Sequence, residues 1–341
     1  MRMRNVSAVC VVVMMSGAAC AQGDASSLQF GRISQKLAAF AKLPASDSAE
    51  AKAFAACGVY DMESDAVVLT REPTADALVY MSRLPAVRVI RFRAFVGDVN
   101  TTLATLGDAA SPVKTITHLY LSGMPVTDAG IGSIIGPGSS LSGVQVLDLS
   151  RTQMTDAAVA GLAARESALR SVTELDLFST AVTDAAITAM TRDDSALAGL
   201  KRLQLRRTAI TDAGVAMLAR PGSCVAHLSH LDLSETKVTD AGVGLLALRD
   251  SGVASLLSLG LEGTNVTDAG VMLIASEYTG LSWLQVLRLS GTRVTDASVV
   301  AIVAPHGGLK ELGGLTLERT QVSAERIAMV RVRYPAQNDG C

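Results

Sequence analysis

An aspartate recurs every 28 residues along most of this chain, and such a carboxylate ladder raises the hypothesis of a cation site. Each of these aspartates lies in a Thr-Asp-Ala triplet, the first of which begins at Thr127. Threonine and aspartate side chains accept hydrogen bonds from the free N–H groups of a helix's first turn, and the aspartate charge suits the positive end of the helix dipole. Helix capping therefore explains the ladder without calcium. The aspartates are Asp128, Asp156, Asp184, Asp212, Asp240, Asp268 and Asp296.

Other residues with the chemistry for catalysis or metal binding are sparse. His227 and His230 form the one close histidine pair, and two histidines without a third ligand nearby are a weak metal signal. The glycine-rich segment 130–136 has the wrong spacing for a dinucleotide loop. The sequence contains no nucleophile elbow, zinc-protease motif or phosphate loop. We therefore expect no enzymatic activity, no cofactor and no bound metal.

The overall composition is that of a folded chain without a polyanion-binding character. The 341 residues are 49% hydrophobic and 18% charged, which is apolar enough to build a core. Thirty lysines and arginines face 32 aspartates and glutamates, so the formal net charge is −2. This balance gives no reason to expect nucleic acid as a partner.

The first 21 residues have the three parts of a secretory signal peptide. Arg2 and Arg4 give a basic start, an apolar run extends from Val6 to Met15, and small residues follow. The apolar run is too short to span a bilayer. We predict cleavage after Ala21 and a secreted, periplasmic or cell-surface location. Lipidation of Cys20 is the alternative, and it is the one case in which we expect attachment to a membrane.

Each repeating unit contains the pattern of one short strand and one helix. In Leu203-Gln204-Leu205, period two places both leucines on one side of a strand. Thr211-Asp212 then begins a helix in which Val215 and Leu218 form an inward stripe, and Pro221-Gly222 ends it. One strand and one helix of this size cannot bury their apolar faces alone. The units must therefore stack, strand beside strand, into a solenoid.

The repeated pattern closely resembles the leucine-rich repeat. One copy reads Leu228-x-x-Leu231-x-Leu233-x-x-Thr236-x-Val238-Thr239-Asp240-Ala241-Gly242. Its length and helix start are similar to those of the ribonuclease-inhibitor and F-box-associated subclasses. The resemblance implies an α/β fold: a right-handed leucine-rich-repeat solenoid, or horseshoe, with a concave parallel β-sheet and convex helices. Threonine stands where the commonest pattern has Asn or Cys after the strand, and its hydroxyl can satisfy loop backbone groups in their place.

The repeats predict five segments. Irregular units are expected at the end of the regular series, because the terminal units of a solenoid must close the core against water. A short helix is predicted from Asp47 to Cys57 and the last helix from Ala324 to Val332. The segments are a signal peptide (1–21), a linker and N-terminal cap (22–66), degenerate N-terminal repeats (67–112), eight 28-residue repeats (113–335) and a tail (336–341).

The residues that flank the strand leucines point out of the predicted concave sheet, and they vary while the leucines do not. Arg202, Arg206 and Arg207 are predicted to form a basic spot among carboxylates, and arginines and aromatic residues often anchor interfaces. A wall of mixed charge favours a protein or peptide ligand, or a glycan, over nucleic acid. The alternative is that these charges only pair with one another and solvate the face. The candidate binding residues are Tyr120, Asp148, Asp176, Phe178, Arg202, Arg206, Arg207, His230, Asp232, Glu262 and Arg288.

These observations predict an exported, non-enzymatic, monomeric binding scaffold that uses the concave sheet. The F-box-associated resemblance implies an alternative, a substrate-recognition subunit of a ubiquitin ligase. Residues 22–66 show no convincing F-box helices, and the export signal would misplace such a subunit. Asn-x-Thr sequons at Asn100 and Asn265 are glycosylation sites only if the host modifies its secretory proteins.

Overall fold

A computed structural model describes residues 48–61, 64–84 and 87–333. The predicted signal peptide and the tail at 336–341 lie outside these residues, as does most of the predicted linker. Within the described ranges, no helix combines the length and the apolar character needed to cross a membrane. The same ranges contain no group of three or more His, Cys, Asp or Glu side chains placed to hold a metal ion.

The described residues form 11 strands and 11 helices that follow one another along the chain. The strands are β1 (Gly58–Asp61), β2 (Ala66–Arg71), β3 (Val89–Val96), β4 (His118–Tyr120), β5 (Val146–Asp148), β6 (Glu174–Asp176), β7 (Arg202–Gln204), β8 (His230–Asp232), β9 (Ser258–Gly260), β10 (Val286–Arg288) and β11 (Gly314–Thr316). The helices are α1 (Ala49–Cys57), α2 (Ala75–Arg83), α3 (Val99–Gly107), α4 (Asp128–Ile134), α5 (Asp156–Ala163), α6 (Asp184–Met190), α7 (Asp212–Ala219), α8 (Asp240–Leu246), α9 (Asp268–Ala275), α10 (Asp296–Ile302) and α11 (Ala324–Arg333).

All the described strands belong to one open sheet in which they lie in chain order. β1 is antiparallel to β2, and every later neighbouring pair is parallel. From β4 to β11 the register repeats with the period of the sequence, so that Leu175 lies opposite Leu147 and Leu203. Neighbouring helices of the regular units pack on one another. The predicted α/β solenoid of stacked strand-helix units is confirmed.

The core lies between the sheet and the helices, and it is built from the leucine columns. Leu203 and Leu205 are 1% and 0% exposed, and Val215 and Leu218 of α7 are fully buried opposite them. Burying one such side chain contributes about 1.5–3 kcal/mol. Because each unit buries this set against its neighbours, the stacking of units stabilises the fold.

The threonine that follows each strand bonds to the loop backbone, as expected. The Thr208 hydroxyl donates to the Leu205 carbonyl at 2.5 Å, and the Thr180 hydroxyl donates to the Leu177 carbonyl at 2.7 Å. Both threonines are buried. The hydroxyl thus satisfies a carbonyl in the turn that leads from the strand toward the helix.

The repeating aspartates reach across to the next unit, a contact that the sequence reading did not include. Thr211 caps its own helix by accepting the Ala213 N–H at 3.2 Å. Asp212 instead accepts bonds from the following unit, from the Thr239 N–H at 2.8 Å and the Thr239 hydroxyl at 2.6 Å. The carboxylate therefore does meet the first turn of a helix, but that helix is α8 rather than its own α7.

The glycine that often follows Thr-Asp-Ala permits this approach. The Gly242 N–H donates to Asp212 Oδ1 at 3.1 Å, and a Cβ atom on Gly242 would lie 2.4 Å from the same oxygen. The contact extends into the irregular part of the solenoid, where Asn100 Oδ1 accepts the Thr127 N–H at 3.1 Å. From Asn100 onward, a continuous series of side chains thus links each unit to its successor.

The N-terminal cap contains a strand that the sequence reading omitted. The predicted helix is present as α1, and β1 follows it directly to form an antiparallel hairpin with β2. Tyr60 of β1 is 2% exposed, and its hydroxyl donates to Asp65 at 2.9 Å. The hairpin therefore closes the first edge of the core. At the other end, the predicted last helix is present as α11.

Candidate functional site

The candidate site is the outward side of the sheet. We call it the sheet face and define it as the outward residues of β3–β11 with the two or three residues after each strand. In β7 the burial alternates, with Leu203 inside and Arg202 and Gln204 partly exposed. All of the predicted binding residues lie in β4–β10 or within three residues after a strand. Six strand steps separate Tyr120 from Arg288, about 29 Å, so the predicted residues share a surface and not one pocket.

The three predicted arginines are paired with carboxylates. Arg206 bonds Glu235 through Nε at 3.0 Å and Nη2 at 2.6 Å, and its Nη1 lies 3.6 Å from Glu262. Arg207 Nε lies 3.3 Å from the other oxygen of Glu235, and Arg202 Nε lies 3.9 Å from Glu174. The basic spot is therefore neutralised by neighbouring units. Glu235 was absent from the prediction, although it occupies the position of Arg207 one period later.

Phe178 is covered by a cation that the sequence reading did not include. The guanidinium of Arg151 lies 5.0 Å from the centre of the Phe178 ring. This distance is within the range of a cation–π interaction. His230, two strands further on, has its Nδ1 2.9 Å from the hydroxyl of Ser229.

An acidic row crosses the sheet face and consists of Asp148 on β5, Asp176 on β6 and Asp232 on β8. Gln204 of β7 lies between the last two. One oxygen of each carboxylate accepts the N–H two residues later, as in Asp176 with Phe178 at 2.8 Å. Burial raises the pKa of Asp176, and the charges of Asp148 and Asp232 raise it further, to about 6, although the Phe178 N–H acts in the opposite direction. The face therefore holds a carboxyl group whose pKa lies well above the usual range of an aspartate.

A cavity of about 530 Å³ lies on the sheet face near its C-terminal end. Glu262 is one of the lining residues, and its Oε1 accepts the Thr316 hydroxyl at 3.4 Å from two strands away. Glu318, also in the lining, accepts the Ser290 hydroxyl at 2.8 Å. The prediction included two of the lining residues, Arg206 and Glu262. The full lining is Arg206, Glu235, Glu262, Gly263, Ser290, Gly291, Glu318 and Arg319.

The N-terminal end of the sheet face carries arginines that the prediction missed. Arg91 and Arg93 of β3 are exposed, while Ile90 and Phe92 between and beside them are buried. The guanidinium of Arg91 lies 5.1 Å from the centre of the Tyr120 ring. The period-two pattern of β3 signals this arrangement, but the irregular spacing of residues 67–112 hides its alignment with the later units.

The strand register, the leucine core and the stacked helices define a solenoid of strand-helix units with leucines on the inner side of the sheet. Three segments, residues 200–219, 226–247 and 280–303, match the family model described as Leucine Rich repeat. No curated protein matches the sequence. Among solved structures, an internalin (inlF) from Listeria monocytogenes str. 4b F2365 is similar, with 14% sequence identity and a TM-score of 0.46. The match covers 91% of this chain and 95% of the internalin chain.

Proposed function

We propose that this protein is an exported, non-enzymatic scaffold that binds a protein or peptide through the sheet face. The observation that carries the proposal is the contrast between a constant framework and a variable surface. The strands β4–β11 keep the same register and the same inward leucine. The outward position after that leucine is occupied in turn by Tyr120, Asp148, Asp176, Gln204, Asp232, Gly260, Arg288 and Thr316.

The size and chemistry of the sheet face favour a macromolecular ligand. Aromatic, acidic and basic side chains are distributed over about 29 Å, whereas a small molecule is usually enclosed in one concave pocket. Cations and carboxylates both occur along the surface, as in the pairing of Arg206 with Glu235. Such a mixture of charges supports recognition of a protein or peptide, and a glycan is the alternative ligand. The monomeric state expected from the sequence belongs to the same proposal.

Peptide-display selection on the purified protein tests the assigned surface. Peptides selected on the wild type are measured against Tyr120→Ala, Phe178→Ala and Arg288→Ala on the sheet face. Met272→Ala and Val300→Ala on exposed helix positions are the controls. We expect at least a tenfold loss of affinity in one or more face variants and less than a twofold change in the controls. Selected peptides that respond only to the helix-side variants would place binding on the opposite surface.

The export part of the proposal depends on residues 1–21 and is tested separately. We expect the protein recovered from its own cells to begin at Gln22, or to carry a lipid on Cys20. An intact Met1 in the mature protein would overturn export. The ubiquitin-ligase alternative gains no support from the described cap residues, because α1 and the β1–β2 hairpin are built into the end of the solenoid.

A further inference from the structure

We propose that the N-terminal end of the sheet face binds an acidic segment of a peptide through Arg91 and Arg93. The inference rests on the proposed function, since it assigns a ligand chemistry to one part of the same surface. It concerns β3, which precedes all the binding residues predicted from the sequence.

The two arginines face the same direction at the spacing of alternate strand residues. Ile90 and Phe92 are 0% and 7% exposed, so the outward side of this part of β3 presents Arg91 and Arg93. Alternate residues of a strand are about 7 Å apart. The register places Arg91 between Val68 of β2 and Tyr120 of β4, which makes it part of the sheet face.

Neither arginine forms an ion pair with any residue in the described ranges. The central arginines differ, because Arg202, Arg206 and Arg207 each lie within 4.0 Å of a carboxylate. A guanidinium that pairs with a carboxylate forms two parallel N–H···O bonds and selects planar anions. At the N-terminal end this capacity is available to a ligand.

The surroundings of Arg91 hold its guanidinium in place. It lies over Tyr120, whose ring in turn stacks on that of His118 with centres 6.4 Å apart. A guanidinium over a ring keeps its N–H edges accessible to an anion. After Phe92 the pairing of β3 with β2 becomes irregular, and Ala94 adopts a positive φ of 45°. Irregularities of this kind redirect side chains and are frequent beside binding sites.

A short acidic peptide fits this end better than a long polyanion. In an extended peptide, glutamates separated by one residue point to the same side and lie about 7 Å apart, which matches the two arginines. Asp148 and Asp176 stand two and three strands further along, about 10 and 14 Å from β3. Their carboxylates would repel a nucleic acid or sulfated chain that continued along the sheet. The geometry thus favours a Glu-x-Glu segment that runs along β3 and does not extend across the sheet to β5.

Fluorescence anisotropy with three labelled peptides on the full chain tests the proposal. One peptide has a Glu-Val-Glu core between Gly-Ser flanks, a second has the same composition with a Glu-Glu-Val core, and a third has a Lys-Val-Lys core. We expect the Glu-Val-Glu peptide to bind at least threefold more tightly than the Glu-Glu-Val peptide at low salt. The lysine peptide should not bind.

Charge reversal distinguishes a direct effect of the two arginines on binding from an effect of the protein's net charge. We expect Arg91→Glu with Arg93→Glu to weaken binding of the Glu-Val-Glu peptide at least tenfold. Arg165→Glu with Lys310→Glu makes the same change in charge at exposed loop positions after α5 and α10, and it should alter binding less than twofold. Circular dichroism of each variant verifies that the fold is retained. Equal binding by wild type and the Arg91/Arg93 variant would overturn the proposal.

Two further results distinguish related explanations. In the first, a heparin-derived hexasaccharide binds through the same arginines and more tightly than the Glu-Val-Glu peptide does. That result would show that the ligand is a polyanion and not an acidic peptide. Display-selected peptides that respond to Phe178→Ala or Arg288→Ala, but not to the Arg91/Arg93 variant, would leave the proposed function standing and refute this assignment alone. Selected peptides that ignore the whole sheet face would refute the proposed function itself.

Discussion

Replacement of Asp212 by alanine should weaken the junction between α7 and α8. Asp212 accepts three hydrogen bonds from the following unit, from the N–H and the hydroxyl of Thr239 and from the N–H of Gly242. A hydrogen bond to a charged group contributes about 1.5–3 kcal/mol. Because the site is only partly buried, water recovers much of the loss. We expect the free energy of unfolding to fall by about 2 kcal/mol.

The same ladder supplies a graded series of variants. Asp128 accepts two bonds, both from Thr155 at an exposed site, and Asp296 accepts one, from the Ser323 N–H. We expect losses of about 1 kcal/mol for Asp128→Ala and about 0.5 kcal/mol for Asp296→Ala. Asp212→Asn retains Oδ1 for the two backbone N–H groups and should lose less than Asp212→Ala.

Urea unfolding followed by far-UV circular dichroism measures the series, with the free energy obtained by linear extrapolation. Asp194→Ala is the matched control, since this aspartate is exposed and pairs with Arg192 on the surface. Surface changes of this kind stay within about 0.5 kcal/mol. If Asp212→Ala is no more destabilising than Asp194→Ala, the bonds between units do not stabilise the solenoid. If Asp296→Ala costs as much as Asp212→Ala, the loss of stability does not follow the number of bonds.

Four other substitutions test the core, the acidic row and the turns. Leu205→Ala should cost about 2–5 kcal/mol in urea unfolding, because the side chain is fully buried; a loss below 1 kcal/mol would contradict its place in the core. Asp176→Asn should stabilise the protein at pH 7.5 relative to wild type and do so progressively less toward pH 4. The folded-state pKa is raised from 3.8 to about 6, so the carboxyl disfavours folding once it ionises, by at most about 3 kcal/mol; a pH-independent difference between the two proteins would refute that shift. Ser179→Gly should raise the thermal midpoint slightly, and Gly123→Ala should lower it by an amount equivalent to about 1 kcal/mol, because both positions have a positive φ, 55° and 71°.

The fold was predictable because every unit repeats the same short-range pattern. The alternation at Leu203 and Leu205 and the helix start at Thr211 depend on neighbouring residues, which one unit of sequence displays in full. The strand β1 is different, since it has four residues and is defined by its antiparallel pairing with β2. Its hairpin also needs Asp65 at a positive φ of 52°, a conformation that the local residues did not signal.

The sequence predicts which side chains point outward on the sheet face, but it does not predict which of these side chains contact one another. Period two correctly pointed Arg202 and Arg206 outward, because alternation fixes the side of a strand. The pairing of Arg206 with Glu235 and Glu262 joins residues 29 and 56 positions apart, and it depends on how the side chains extend across the units. For the same reason the sequence predicts a cap within one helix where the structure has a link from Asp212 to Thr239 of the next unit.

The uniform spacing of the inter-unit bonds makes the middle of the solenoid interchangeable by whole units. Excision of residues 183–210 would place Thr211 where Thr183 stands, so that Asp156 would meet a threonine of the same kind. The leucine columns and the strand register would rejoin in the same way. A lineage can therefore lengthen or shorten this surface by duplication or loss of 28 codons without redesigning its scaffold. Excision of a length that is not a multiple of 28 residues would leave carboxylates opposite the wrong residues.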